Sequence, residues 1–158
     1  MKSDRSLEAL VEVRFMDHTA DVGVEVEAPS LELLIEGAAM GMTRLILGDD
    51  RPREEEERTI RAEGTDPALL LRNVLRELLF LHEARGFALA LCRVESLAPE
   101  EVPAGGESVL RVRCRVTGGR DPGPPDRELK GVTLHGLIAE RREGKEGRPW
   151  FGRVIFDV

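Results

Sequence analysis

Residues 22–28, VGVEVEA, alternate apolar and polar side chains with the two-residue period of a β-strand. One face of this strand carries Val22, Val24, Val26 and Ala28, and the other carries Gly23, Glu25 and Glu27. Ser30 then offers a helix N-cap, and apolar residues recur at helical spacing as far as Gly48. Gly37 and Gly41, four residues apart, predict that this helix packs closely against a neighbour. The pattern therefore predicts a one-sided sheet whose apolar face is covered by an amphipathic helix.

The rest of the chain predicts one further helix and six further strands. The helix spans residues 67–85, between the N-cap Asp66 and Gly86. The strands are expected at residues 11–16, 57–63, 87–96, 108–116, 131–140 and 149–158. Residues 118–128 are rich in proline and glycine, which predicts a loop. Runs of strands with two helices predict an α+β two-layer sandwich, a mostly antiparallel or mixed sheet with both helices packed on one face, in a single domain over residues 1–158.

Charge and composition restrict the function. The formal net charge is −7 and the pI is near 5.1, so most of the surface would repel a phosphate backbone, which argues against tight, direct binding of naked nucleic acid. No run approaches the roughly 20 apolar residues of a membrane span, and the N-terminal segment lacks the apolar core of a signal peptide. Cys92 and Cys114 lie in apolar or alternating runs, which predicts two buried thiols. We therefore expect a soluble cytoplasmic protein without a membrane partner.

Familiar catalytic and nucleotide-binding motifs do not occur in the sequence. The segment MDHTAD, residues 16–21, instead places two aspartates and a histidine between two predicted strands. Asp21 shares the strand parity of Glu25 and Glu27, so its side chain is expected on the polar face at the start of the strand. Asp17 begins the turn. Either aspartate could simply cap backbone N–H groups in an Asx turn, which is the commonest role of such residues.

The last residues, FDV, offer a second acidic group. They follow an apolar strand over residues 151–156, which is expected to be buried and to hold the chain end in place. Asp157 and the α-carboxylate of Val158 would then repel each other unless a cation or hydrogen-bond donors compensate. Oxygen ligands suit Ca²⁺ or Mg²⁺ better than zinc. Spacing alone does not show that residue 21 meets residue 157, so the metal site and the Asx turn both remain open.

Segments at both ends of the chain resemble the signatures of one family. MDHTADVGVEVEAPSLELLIEGAAMGM is similar to the N-terminal signature of the archease family, and KGVTLHGLIAE with RVIFDV is similar to its C-terminal signature. The resemblance implies a non-catalytic accessory protein of tRNA splicing or RNA repair. Archeases act with RtcB-type RNA ligases, which join tRNA exon halves using GTP and divalent metal, and they promote guanylylation and multiple turnover of the ligase. The partner expected from this resemblance is the ligase, with tRNA reached only through it.

The resemblance also implies a metal site. It assigns a divalent cation, Ca²⁺ first with Mg²⁺ or Mn²⁺ as alternatives, to Asp21, Asp157 and Val158, the last through its backbone or terminal oxygens. Asp17 is then expected to stabilise the turn. His18, beside it, is expected to orient the loop, with a general-base role ranked lower.

Two positions of the C-terminal signature are expected to contact a partner or to support the site. Lys130 is one of only three lysines in a chain that otherwise uses arginine, and a compact ammonium contacts phosphate differently from a guanidinium. His135 matches the histidine of the family's strand motif, with a purely structural role as its alternative. Leu134 stands where the family often has tyrosine, so any role that needs that hydroxyl is lost or moved.

Two other functions remain open. A chaperone-like modulator of RNA-modifying proteins, a role also proposed for archeases, would suppress client aggregation without affecting ligation. A metal-dependent phosphoesterase built on Asp17, His18 and Asp21 would turn over a phosphoester by itself. The phosphoesterase ranks lower because the motif lacks the three or more ligands and the separate base that such sites generally need.

Overall fold

The computed structural model describes residues 4–17, 21–100, 108–120, 123, 125–143 and 146–158. Within these residues there are three helices, α1 (Asp4–Leu10), α2 (Leu31–Leu47) and α3 (Pro67–Arg85). The strands are β1 (Glu12–Asp17), β2 (Asp21–Ala28), β3 (Glu56–Gly64), β4 (Phe87–Glu100), β5 (Val109–Arg120), β6 (Gly131–Val132), β7 (Ile138–Arg141) and β8 (Trp150–Asp157).

The strands form two antiparallel sheets. In the five-stranded sheet, β1, β2, β8 and β6 lie side by side, and β7 also pairs with β8. The three-stranded sheet has the order β3, β5, β4. The predicted α+β class is confirmed. The sequence pattern predicted one sheet, whereas the described strands divide between two, because β4 pairs with β5 and β5 pairs with β3 in a sheet of their own.

Helix α2 lies directly on β1 and β2 through its glycines. A Cβ atom at Gly37 would be 3.0 Å from Cγ1 of Val26, and one at Gly41 would be 2.8 Å from Cγ1 of Val24. Such distances leave no room for a side chain, so the close packing predicted for this glycine pair is confirmed. The helix begins where the sequence indicated, because the side chain of Ser30 accepts a hydrogen bond from the backbone N–H of Leu33 at 3.1 Å.

Both long helices contact both sheets, so one apolar core spans the space around them. In α3, Asp66 caps the N-terminus by accepting a hydrogen bond from the N–H of Leu69 at 2.9 Å. Gly86 ends the helix with a φ of +63°, a left-handed conformation that favours glycine. Cys92 and Cys114 are buried free thiols, as predicted. Among the described residues, no helix combines the length and the apolar character needed to cross a membrane.

The structure differs from the sequence prediction at two glycine-containing segments. Strand β5 continues to Arg120, into the segment predicted to be a loop. Gly118 permits this, because a Cβ there would be 2.1 Å from the carbonyl oxygen of Ala88 on β4. The segment predicted as one strand over residues 131–140 is divided into β6 and β7, since Gly136 has a φ of +63° and turns the chain between them.

Candidate functional site

Two aspartates lie opposite each other at one end of the five-stranded sheet. The antiparallel register of β2 and β8 pairs Asp21 with Asp157. Directly opposed residues project to the same face of a sheet, with Cβ atoms roughly 4.5–5.5 Å apart, and like charges in this position are destabilising. The structure therefore brings together the two carboxylates that the sequence placed at opposite ends of the chain.

The hydrophobic core fixes this register. Val22 on β2 pairs with Phe156 on β8, and Val24 pairs with Val154, all four side chains being buried. A shift of one residue would turn this apolar set towards solvent, so the alternation on both strands holds the aspartates on the opposite, outer face. Asp21 therefore lies on the outer face, as predicted, because the valines that alternate with it are buried on the inner face.

One oxygen of the Asp21 carboxylate lacks a hydrogen-bond partner among the described residues. This atom is Oδ1, and it is buried. Further along the same face the arrangement is different, because Glu25 lies opposite Arg153 and their side chains approach to 2.8 Å. Among the described residues, neither Asp21 nor Asp157 has such a cationic partner. A buried carboxylate oxygen without a donor, facing a second carboxylate, is an arrangement that a cation would stabilise.

Strand β6 lies on the other side of Asp157. Gly131 is the register partner of Asp157, and a Cβ there would be 3.8 Å from Oδ2 of that aspartate. The backbone N–H of Lys130 donates to the backbone oxygen of Asp157 at 2.8 Å, whereas the lysine side chain is exposed. Sequence reasoning did not identify Gly131, because a glycine gives no chemical signal of a site. Its proximity to Asp157 follows only from the β6–β8 pairing.

The other predicted site residues lie away from the two carboxylates or outside the described residues. Asp17 pairs with Val22 and so belongs to the opposite face of the sheet, where its carboxylate lies 3.5 Å from the guanidinium of Arg127. His18 lies outside the described residues. His135 is exposed in the turn between β6 and β7, beside Leu134, whose side chain is 60% exposed.

Within the described part of the chain, the ligand atoms near the two aspartates are oxygens. In the described ranges no group of three or more histidine, cysteine, aspartate or glutamate side chains could hold a metal ion. The candidate metal ligands are therefore the carboxylates of Asp21 and Asp157, together with main-chain oxygens at the end of β8. Carboxylate and carbonyl oxygens are the ligands of hard cations such as Ca²⁺, which also accept waters as ligands.

Comparisons with known proteins agree on one family. A sequence model described as the Archease protein family (MTH1598/TM1083) matches residues 14–158. Protein archease of Methanopyrus kandleri is 34% identical over 148 residues, covering 90% of this chain and 96% of the relative. Protein archease of Archaeoglobus fulgidus is 31% identical over 146 residues, covering 92% and 98%. The solution structure of Methanobacterium thermoautotrophicum protein 1598 matches with a TM-score of 0.69 at 26% identity, covering 92% of this chain and 98% of that one. The chain belongs to the archease family.

Proposed function

We propose that this protein is a non-catalytic accessory of an RtcB-type RNA ligase in tRNA splicing or RNA repair, and that it promotes guanylylation and multiple turnover of the ligase. Family membership supports the role. The observation that carries the proposed site is the opposition of Asp21 and Asp157 on adjacent strands, with Oδ1 of Asp21 buried and without a donor among the described residues.

The two carboxylates, with a backbone or terminal oxygen of Val158, would hold a divalent cation. Ca²⁺ fits best, because it takes six to eight oxygen ligands in flexible geometry and fills the positions that the protein leaves free with water or a partner's oxygens. When bound, the ion supplies a hard positive charge that cancels the repulsion between the aspartates. Mg²⁺ and Mn²⁺ are the alternative occupants.

The surroundings of the carboxylates fit contact with another macromolecule. Asp157 and Lys130 are exposed at this end of the sheet, and Leu134 and His135 are exposed in the turn between β6 and β7. Lys130 and His135 could meet an anionic group of a partner, while the exposed Leu134 offers apolar contact. The net charge of −7 favours a protein partner with a basic surface over independent capture of tRNA.

The test is RNA ligation with limiting ligase. The RtcB-type ligase of the same organism would be mixed with excess RNA, GTP and Mn²⁺, and turnovers would be counted with and without this protein. We expect more than one RNA joined per ligase only when the protein is present. Asp21→Asn and Asp157→Asn should abolish most of this gain. Asp17→Asn is the matched control, since it removes a carboxylate of the same segment that lies on the other face of the sheet.

Three other results would contradict the proposal. Equal, single-turnover ligation with and without the wild-type protein would reject the accessory role, and suppression of client aggregation would then indicate a chaperone-like modulator. Hydrolysis of a phosphoester by the protein alone, lost in Asp21→Asn, would indicate a phosphoesterase. Full activation by both aspartate variants would leave the accessory role and reject the metal site.

A further inference from the structure

A second surface, lined by neither of the paired aspartates, has the properties of a binding groove. It lies between helix α3 and the three-stranded sheet and has a volume of about 970 Å³. Its lining includes Phe80 and Arg76 of α3, together with Arg61, Arg111 and Arg113 of the strands. Binding pockets for small ligands usually measure roughly 300–1,000 Å³, so this groove is at the large end, suited to a segment of a chain.

An aromatic side chain projects into solvent at this groove. Phe80 is 58% exposed, although its neighbours Leu78 and Leu79 are buried in the core. Arg76 precedes it by four residues, so both side chains lie on the same face of α3. Exposed aromatic and arginine side chains placed together are the residue types that most often anchor protein interfaces. Phe80 is not part of the hydrophobic core, so its ring is available to a partner.

The groove also carries unneutralised positive charge. Arg61 and Arg113 are direct partners in the β3–β5 register, which puts two guanidinium groups opposite each other. Arg111 pairs with Glu63 at 3.0 Å and Arg113 pairs with Glu95 at 3.5 Å, whereas Arg61 and Arg76 form no ion pair with any residue of the described ranges. Like charges directly opposed across strands are destabilising unless an anion lies between them or nearby. Four arginines and two glutamates line the groove, a local excess of positive charge on a chain whose net charge is −7.

We propose that this groove binds an acidic segment of a partner protein that also carries an apolar side chain. The acidic groups would meet Arg61 and Arg76, and the apolar side chain would contact Phe80. Glu77 lines the same groove and would accept a hydrogen bond from a backbone N–H group of a peptide, whereas Glu63 pairs with Arg111. Single-stranded RNA carries a phosphate at every nucleotide, so a chain of net charge −7 would repel it more strongly than a peptide with only a few carboxylates. This difference in charge density favours a short acidic peptide over RNA.

Three fluorescein-labelled probes would test the proposal by anisotropy in about 0.15 M NaCl. The first is a peptide of about ten residues with a central tryptophan flanked by aspartates, the second has lysine in place of each aspartate, and the third is single-stranded RNA of about the same length. We expect the acidic peptide to bind the wild-type protein at least about tenfold more tightly than either other probe.

Variants locate the binding on the protein. Phe80→Ala and Arg76→Glu should each weaken acidic-peptide binding by at least about fivefold. Arg85→Glu is the matched control for charge, because Arg85 is an exposed arginine of the same helix outside the groove. It should change the affinity by less than about twofold. In a ¹H–¹⁵N spectrum, the peptide should shift the resonances of Asn73, Arg76 and Phe80.

Several outcomes would overturn the proposal. The proposal is wrong if the acidic peptide does not bind at a concentration of about 1 mM, because a Kd above that value is too weak for a docking site. Equal losses in Arg76→Glu and Arg85→Glu would show attraction by overall charge rather than by the groove. Tighter binding of the RNA probe would assign the surface to nucleic acid. None of these measurements involves the ligase, so they are independent of the proposed accessory function.

Discussion

The side chain of Glu36 in α2 accepts a hydrogen bond from the backbone N–H of Val94 in β4, with 3.0 Å between Oε2 and the nitrogen. β4 is an edge of the three-stranded sheet, where backbone groups lack a neighbouring strand. Asn73 in α3 serves the other edge, since its Nδ2 donates to the carbonyl oxygen of Glu63 in β3 at 2.7 Å. Asn73 is the only asparagine of the chain, and the sequence contains no glutamine. Helices α2 and α3 thus each supply a polar side chain that bonds to one edge strand of the sheet.

Replacing Glu36 by leucine should destabilise the fold. The Val94 N–H would lose its acceptor, which costs about 1–3 kcal/mol of unfolding free energy when the group is shielded from water. Glu36→Gln keeps an acceptor oxygen and should cost less. Urea unfolding monitored by circular dichroism would measure both, with Glu32→Leu as the control because Glu32 is exposed on the same helix. Unchanged exchange protection of the Val94 amide in Glu36→Leu would contradict the assigned role.

Calcium should stabilise the wild-type protein and fail to stabilise Asp21→Asn. At about 100 times its Kd, the ion would add about 2.7 kcal/mol to the free energy of unfolding. In a chain of this length, that gain corresponds to a rise in Tm of roughly 5–11 °C. In EDTA the order should reverse, with Asp21→Asn more stable by up to about 1 kcal/mol, because the substitution removes a like-charge pair.

Differential scanning calorimetry with and without Ca²⁺ would measure these shifts. Asp17→Asn should respond to calcium as the wild type does, because Asp17 faces the other side of the sheet and pairs with Arg127. An identical calcium response of all three proteins would rule out the paired aspartates as the site.

Adding a methyl group at Gly41 should loosen the contact between α2 and β2. The new Cβ would be 2.8 Å from Cγ1 of Val24 and 3.2 Å from Cγ1 of Val13. Overpacking of this kind costs typically 1–3 kcal/mol, and the better helix propensity of alanine returns only about 1 kcal/mol. We expect Gly41→Ala to lower the free energy of unfolding by about 1 kcal/mol in chemical denaturation. Gly123→Ala is the control, since no described atom lies within 4 Å of its Cβ position; a stabilised Gly41→Ala would disprove the tight fit.

Stability should fall at alkaline pH through Cys92. The hydrogen bond with Cys114 raises the pKa of the Cys92 thiol, and burial and the Glu36 carboxylate raise it further. In the unfolded chain the thiol ionises above about pH 8.5, whereas the folded protein keeps it protonated, so rising pH favours unfolding. The loss approaches about 1.4 kcal/mol per pH unit for one thiol until the folded pKa is reached.

The measurement is the free energy of unfolding between pH 7.5 and 10 for the wild type and for Cys92→Ala. Below the ordinary thiol pKa the stabilising contribution is fully present, and the two pH profiles should run parallel. Above the ordinary thiol pKa, the free energy of unfolding of the wild type should fall more steeply with pH than that of Cys92→Ala. The chain contains no tyrosine, so fewer groups titrate in the same range. Profiles that stay parallel throughout would contradict this assignment.

Local features of the fold were predictable because they depend on neighbours in sequence. Ser30 and Asp66 cap their helices as expected, since capping needs only a side-chain oxygen three residues before a free N–H. The loop predicted from the proline and glycine content of residues 118–128 is wrong at Gly118, which lies in β5. The close approach of β4 that requires a glycine there is a contact between distant segments.

The sequence by itself determined which residues form most helices and strands, and on which face of β2 the carboxylate of Asp21 lies. Strand parity decides the face, and burial of the alternating valines enforces it. Only the tertiary structure decided that Asp21 meets Asp157. A shift of β8 along β2 by two residues would keep every side chain on its face, so alternation cannot distinguish such registers. The choice between them depends on how distant side chains fill the core together, and the opposition of the two aspartates is a consequence of that packing.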